Sequence, residues 1–279
     1  MSSNVRFMEA ITSGFDFVNN SKNFLFVFIW SLIQIILVGV PTILISSSLL
    51  TTVTSGTSYI SVLISYLPLI IIGVVVYLVE ILFTGALIYR YKTEKSLSVS
   101  IKFALNKYHR LLGINLIFIL FLIIAGLCVL LGVYLIFFVG SYVIITIVGA
   151  MLILIGIIVG IMILLIFPVF MDQEVILTDN SVIQIAKNLW AIFKKEWINI
   201  LIIAIIVVIF WFFITIFFSV VPNAIVSVVA LFNIVPPSIY IILTIITTVI
   251  AVIGTTIIKL MMIGSFTHVY LQIKKVKVR

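Results

Sequence analysis

Residues 167–201 read FPVFMDQEVILTDNSVIQIAKNLWAIFKKEWINIL. Phe167 ends a long apolar run, and Pro168 predicts a helix break there. Asp172, Glu174 and Asp179 follow. Val182, Ile185, Ala186, Leu189, Phe193 and Trp197 then recur at helical spacing, with Lys187, Lys194 and Lys195 off that face. Asn180 or Ser181 is expected to cap this helix. At Trp197 the sequence turns apolar again. The stretch therefore predicts a corner: one membrane span ends, a short amphipathic helix lies in the interface, and the next span begins.

The rest of the chain fits that reading. Of 279 residues, 65% are hydrophobic and 9% charged. A soluble domain carries about 45–50% apolar and about 25% charged residues. No water-soluble core hides so much apolar surface, so the expected class is an all-α integral membrane protein. The formal net charge of +8 is explained first by basic cytoplasmic loops. Cys128 is the single cysteine and falls inside a span, so it forms no internal disulfide. The first 23 residues are polar and mixed in charge. No cleavable signal is expected, and the first apolar run should act as an uncleaved anchor.

Working outward, six spans are predicted: 24–49 with a kink at Pro41, 60–89 with tilt or a bend near Pro68, 112–139, 142–167, 198–221 stopped by Pro222, and 239–270. Gly140 and Ser141 should form a tight turn. Residues 224–232 form a short apolar piece, either an external interfacial turn or a re-entrant segment. Two further interfacial helices are predicted. The first covers residues 4–20, with Phe7, Ile11, Phe15 and Val18 on one face. The second has Leu97, Ile101, Ala104, Leu105, Tyr108 and Leu112 as its stripe.

Lys and Arg number two before the first span, six between the second and third, three between the fourth and fifth, and four after the sixth. Residues 50–59, 139–142 and 222–238 carry no charge. The alternation predicts a cell-membrane, multi-pass protein with both termini cytoplasmic. It also predicts one transmembrane domain, residues 1–279. That domain is built as three hairpins, each preceded by a cytoplasmic interfacial amphipathic helix, in repeat-like units at about 4–91, 96–171 and 180–273.

The segment PVFMDQEVILTDNSVIQIAKNLWAIFKKEW (Pro168 to Trp197) resembles the diagnostic stretch of a broad prokaryotic superfamily. That group includes the membrane domain of glycerophosphoryl diester phosphodiesterases and YciC-like proteins. Pro168, Glu174, Ala186, Trp190 and Lys194 match its pattern of Pro, acid, Ala, aromatic and basic end. Leu189 stands where a small residue is usual. The resemblance implies a helical membrane domain. It implies no hydrolase activity, because no phosphodiesterase catalytic domain follows the spans. In architecture alone, the isoleucine-rich, acid-poor chain is similar to polytopic membrane proteins of thermophilic archaea. One of these is the membrane component of the crenarchaeal DNA-import (Ced) system, and that likeness implies a channel role.

The sequence carries no Walker-type loop, HExxH, Gly-x-Ser-x-Gly, or cysteine or histidine cluster. No enzyme activity, catalytic residue, metal or cofactor is expected. His109 and His268 are isolated and read as interfacial polar residues. Glu80 lies ten residues before Arg90, about 15 Å along a helix from the basic boundary. Lys259 lies at a similar depth. An intramembrane pair, Glu80 with Lys259, is expected, either as a structural tie or lining a polar pathway. Gly156 and Gly160 form a small-xxx-small motif for helix packing.

Arg90, Lys92, Lys95, Lys102, Lys107 and Arg110, with Lys274, Lys275, Lys277 and Arg279, form an expected surface for anionic lipid or nucleic acid. Asp172, Glu174 and Asp179 form an acidic junction on which the basic second corner is expected to dock. The expected partners are membrane lipids. Further candidates are a second copy of the chain, a cytoplasmic ATPase or small membrane subunits, and nucleic acid. The function expected is a channel or scaffold component of a transport system, DNA import being the most specific candidate. The alternative is a lipid- or partner-binding organiser without transport.

Overall fold

The computed structural model describes residues 5–39, 41–42, 59–139, 142–232 and 236–275. All the regular structure among them is helical. The helices are α1 (Phe7–Asn19), α2 (Ser21–Gln34), α3 (Tyr59–Thr93), α4 (Leu97–Asn106), α5 (Tyr108–Phe138), α6 (Val143–Leu177), α7 (Val182–Thr215), α8 (Val221–Leu231) and α9 (Pro237–Ile273). Among the described residues two π-helical turns occur, Ile35–Gly39 after α2 and Ile216–Val220 between α7 and α8.

Among the described residues, six helical stretches are long and apolar enough to cross a membrane. They are Ser21–Gly39, Tyr66–Thr93, Tyr108–Phe138, Val143–Gly160, Val182–Leu231 and Ser238–Ile273. Helix is the one open form that satisfies every backbone N–H and C=O without water, so apolar runs of this length fold this way. Large apolar side chains such as Leu130, Phe137, Ile144 and Phe212 are exposed along them. A surface of that kind suits lipid rather than water. This is the make-up of an all-α, multi-pass membrane protein.

Among the described residues, three spans are entered from a short helical piece across a single non-helical residue. Asn20 is extended between α1 and α2, and its side chain accepts the Asn23 N–H at 3.3 Å. Lys107 (φ −101°, ψ 4°) divides α4 from α5. Glu196 (φ −123°, ψ 18°) breaks α7 internally. The short pieces bury narrow faces: Ala10, Gly14 and Phe17 in α1, and Ser100 and Ala104 in α4. Leu105, expected on the apolar stripe of α4, is exposed, and Tyr108 already belongs to α5.

Two proline readings are corrected. The helix does not end at position 168 but continues to Leu177. A proline removes one hydrogen bond, and apolar surroundings offer the freed carbonyl no water to unwind toward. The corner therefore falls at Thr178–Ser181, and Asp172 and Glu174 are helical. Pro222 does not stop the chain either. It lies in the first turn of α8, directly after a π turn with helical backbone, and the helix runs on through it. The π turn at Ile216–Val220 joins α7 to α8, so residues 224–231 continue a helix. Pro68 lies inside α3. The outer end of the first span, the loop at 51–58 and the Gly140–Ser141 turn lie outside the described residues.

The chain divides into two compact units. One holds Met1–Val5, Thr84–Ile205 and Val269–Arg279. Its core includes Ile88, Leu111, Ile114, Phe170, Val175, Ile176, Ile185, Leu189, Tyr270 and Leu271. Within it α5 and α6 pack closely: a Cβ at Gly132 would stand 2.5 Å from the Gly149 carbonyl oxygen. The other unit holds Arg6–Phe83 and Ile206–His268. There α1 packs on α9, and Phe83 receives the rings of Phe26 and Trp30 at 4.8 and 4.9 Å.

Candidate functional site

The unit formed by Arg6–Phe83 and Ile206–His268 contains an intramembrane charge cluster. Lys259 Nζ lies 3.0 Å from Glu80 Oε1. Gln34 Nε2 donates to Glu80 Oε2 at 2.6 Å, and Trp30 Nε1 donates to the same oxygen. Lys259 also donates to Gln34 Oε1 at 2.9 Å. Residues 30 and 34 are one helical turn apart on α2, which presents both to the carboxylate. Both charged side chains are 27% exposed. Glu80, Lys259 and Gln34 close a ring of donors and acceptors, in which each charge meets its opposite and an amide bridges them, and Trp30 adds a further donor to Glu80 from outside the ring. Such pairing is what makes charge tolerable inside a membrane. Sequence reading singled out Glu80 and Lys259 and missed Trp30 and Gln34. Their i, i+4 spacing inside an otherwise apolar span was the available signal.

The other unit contains a second cluster, centred on Glu174, which is 0% exposed. Its Oε1 accepts Asn188 Nδ2 at 2.8 Å, Asn180 Nδ2 at 3.3 Å and Lys274 Nζ at 3.4 Å. Its Oε2 accepts the Tyr270 hydroxyl and lies 3.1 Å from Lys274 Nζ. Burial works against the charge, but the bonds from Tyr270, Asn188 and Lys274 outweigh it and hold the carboxyl below its ordinary value. One carboxylate thus ties the ends of α6 and α9 to the start of α7. Ser181 Oγ accepts the Gln184 N–H at 3.4 Å at that start. Asn188 and Tyr270 did not stand out in the sequence, and Asn180 did so only as an expected helix cap.

Asp179 is exposed and faces Lys107 at 3.0 Å and Arg110 at 3.8 Å. Its carboxyl lies below the usual range, because Lys107 hydrogen-bonds it and both cations attract its charge. Two of the six cations in residues 90–110 thus face the acidic junction. Lys107 goes further, donating to the carbonyls of Ile176 at 3.2 Å and Val175 at 3.4 Å, and to that of Thr178. Asp172 receives Asn115 Nδ2 at 3.5 Å, and burial pushes its carboxyl up to about 6 against that bond.

Lys92, Lys95 and Lys102 are exposed and Arg90 is half-buried. Lys275 is exposed, and Lys277 and Arg279 lie outside the described residues. Gly156 meets Ala125 and Val129 of α5, whereas Gly160 has only the Ala125 Cβ nearby. His109 is exposed and His268 buried. No group of three or more His, Cys, Asp or Glu suited to a metal occurs among the described residues.

These features define a class, a multi-pass helical membrane protein with internally paired charges. Comparisons with protein-family models, curated proteins and solved structures return no match that would narrow it further.

Proposed function

We propose that the chain is a non-enzymatic, six-span cell-membrane protein with both termini cytoplasmic. In this reading three span pairs, each led in by an interfacial amphipathic helix, form the scaffold or channel component of a transport system. DNA import is the most specific candidate. The alternation of basic and charge-free segments supports the orientation. The observation that carries the scaffold role is the closed Gln34–Glu80–Lys259 ring, to which Trp30 adds a donor on Glu80. Charge held this way suits a part that braces a pathway. The sequence offers no nucleotide-binding loop to power movement, so a cytoplasmic ATPase, small membrane subunits or a second copy of the chain would complete the system.

The exposed Lys92, Lys95 and Lys102 beside the exposed Val99 and Leu105 favour a second reading. In it the chain organises the membrane by binding anionic lipid or a peripheral partner, without transport. Deletion of the gene, followed by a DNA-uptake assay and lipid analysis, separates the two. Lost uptake with unchanged lipids supports the transport role. Normal uptake with altered lipids supports the organiser.

A further inference from the structure

A cavity of about 250 Å³ lies where the short part of α7 meets the end of α9. Asn188, Lys195, Glu196 and Lys274 supply its polar lining, and Ala191, Ile192 and Ile273 its apolar lining. Its size falls below the roughly 300–1,000 Å³ that enclose a drug-sized ligand. It suits a headgroup rather than a whole lipid.

The charges around it are asymmetric. The two nearby carboxylates are withdrawn: Glu174 is 0% and Glu196 2% exposed, and Glu196 Oε2 accepts Asn199 Nδ2 at 2.8 Å. Lys195 is exposed, and so are its neighbour Lys194 and the residue after Lys274, Lys275. Lys274 faces Glu174, yet an ammonium has three donors and can serve a second acceptor. Asn188 is bound on both sides, accepting from Gln184 and donating to Glu174, so the wall is held in place. The neighbouring Trp190 and Trp197 are exposed, as aromatics at a membrane–water boundary are.

We propose that this cavity binds the phosphate of an anionic phospholipid headgroup. Lys195 and Lys274 are the phosphate's counter-charges, and Ile192 and Ile273 contact the glycerol carbons. The inference rests on the reading of α7's short part as lying at the membrane surface. The same phosphate chemistry is offered by a soluble phosphate ester.

The test uses the full chain in neutral detergent. Thermal denaturation is followed with dioctanoyl phosphatidylglycerol, dioctanoyl phosphatidylcholine or glycerol 3-phosphate. Phosphatidylglycerol is expected to raise the Tm by roughly 5 °C near saturation, and phosphatidylcholine much less. Lys195→Ala removes a cation without uncovering Glu174, and Ala191→Phe fills the cavity without changing charge. Each should weaken the apparent affinity about tenfold or more, while Lys102→Ala on α4 should not. An equal response to glycerol 3-phosphate supports the phosphate site and assigns it to a soluble ester. Wild-type responses in both Lys195→Ala and Ala191→Phe overturn the proposal, as does equal stabilisation by phosphatidylcholine. Loss in Lys102→Ala alone overturns the cavity but leaves the lipid-binding surface of α4 standing.

Discussion

Lys107 stands 3.0 Å from Asp179, and the same ammonium caps the last carbonyls of α6. The two partners are unequally buried: the Lys107 side chain is 11% exposed and Asp179 91%. The ion pair is therefore well screened, and the capping bonds carry most of the stabilisation. Lys107→Met should lower stability by about 1–3 kcal/mol, whereas Asp179→Asn should cost much less, because the exposed pair is screened by solvent. Thermal denaturation in detergent measures both. Equal effects would mean that the charge pair, not the cap, matters.

Glu174 and Asp172 make opposite pH dependences. Glu174 is held below its ordinary value of 4.5 in the fold, so its contribution is present above that pH and is lost as pH falls through the folded value. Asp172 is raised from 3.8 to about 6, so its cost appears as pH rises between those values. Asp172→Asn should stabilise the protein above pH 6, by on the order of 1–3 kcal/mol, and have little effect below 3.8. Lys274→Ala should cost about 3–5 kcal/mol near neutrality, because it strands a buried carboxylate. Melting temperatures measured from pH 3 to pH 8 check each sign.

The small-residue motif of α6 is unequal in its two members. A Cβ on Gly156 would come within 2.8 Å of the Ala125 carbonyl oxygen, while one on Gly160 finds only an ordinary 3.8 Å contact. Gly156→Ala should destabilise by about 1–3 kcal/mol. Gly160→Ala should be neutral or gain up to about 1 kcal/mol from helix propensity. Paired melting curves decide this, and reversed effects would refute the packing.

Glu94, just after α3, has φ 54°, a region that side chains enter at a cost. Glu94→Gly should therefore stabilise by up to about 1 kcal/mol, the usual gain when glycine relieves such a residue. A lower melting temperature would show that the Glu94 carboxylate has a role of its own.

The helical class and the apolar runs were legible, because hydropathy alone demands helices in lipid. So were Glu80 and Lys259 as charges out of place, since both interrupt runs of Ile, Leu and Val. The partners were not legible. Gln34 and Lys259 are 225 positions apart, and Glu174 and Tyr270 are 96 apart. Only packing brings such side chains together. Pro168 and Pro222 misled for a shared reason. Proline marks helix ends where water can take over the freed carbonyl, and here the backbone stays helical through both.

The closed ring around Glu80 is the centre of the scaffold account, and charge reversal tests it. Glu80→Lys and Lys259→Glu should each lower the melting temperature and the yield of folded protein, because each places two like charges side by side in an apolar layer. The double variant restores opposite charges and should recover most of the loss. The decisive quantity is the coupling between the two substitutions in a double-mutant cycle of melting temperatures. Recovery well beyond the sum of the single effects is the result predicted. A double variant no better than the worse single one would contradict the ion pair, and with it the scaffold built on it.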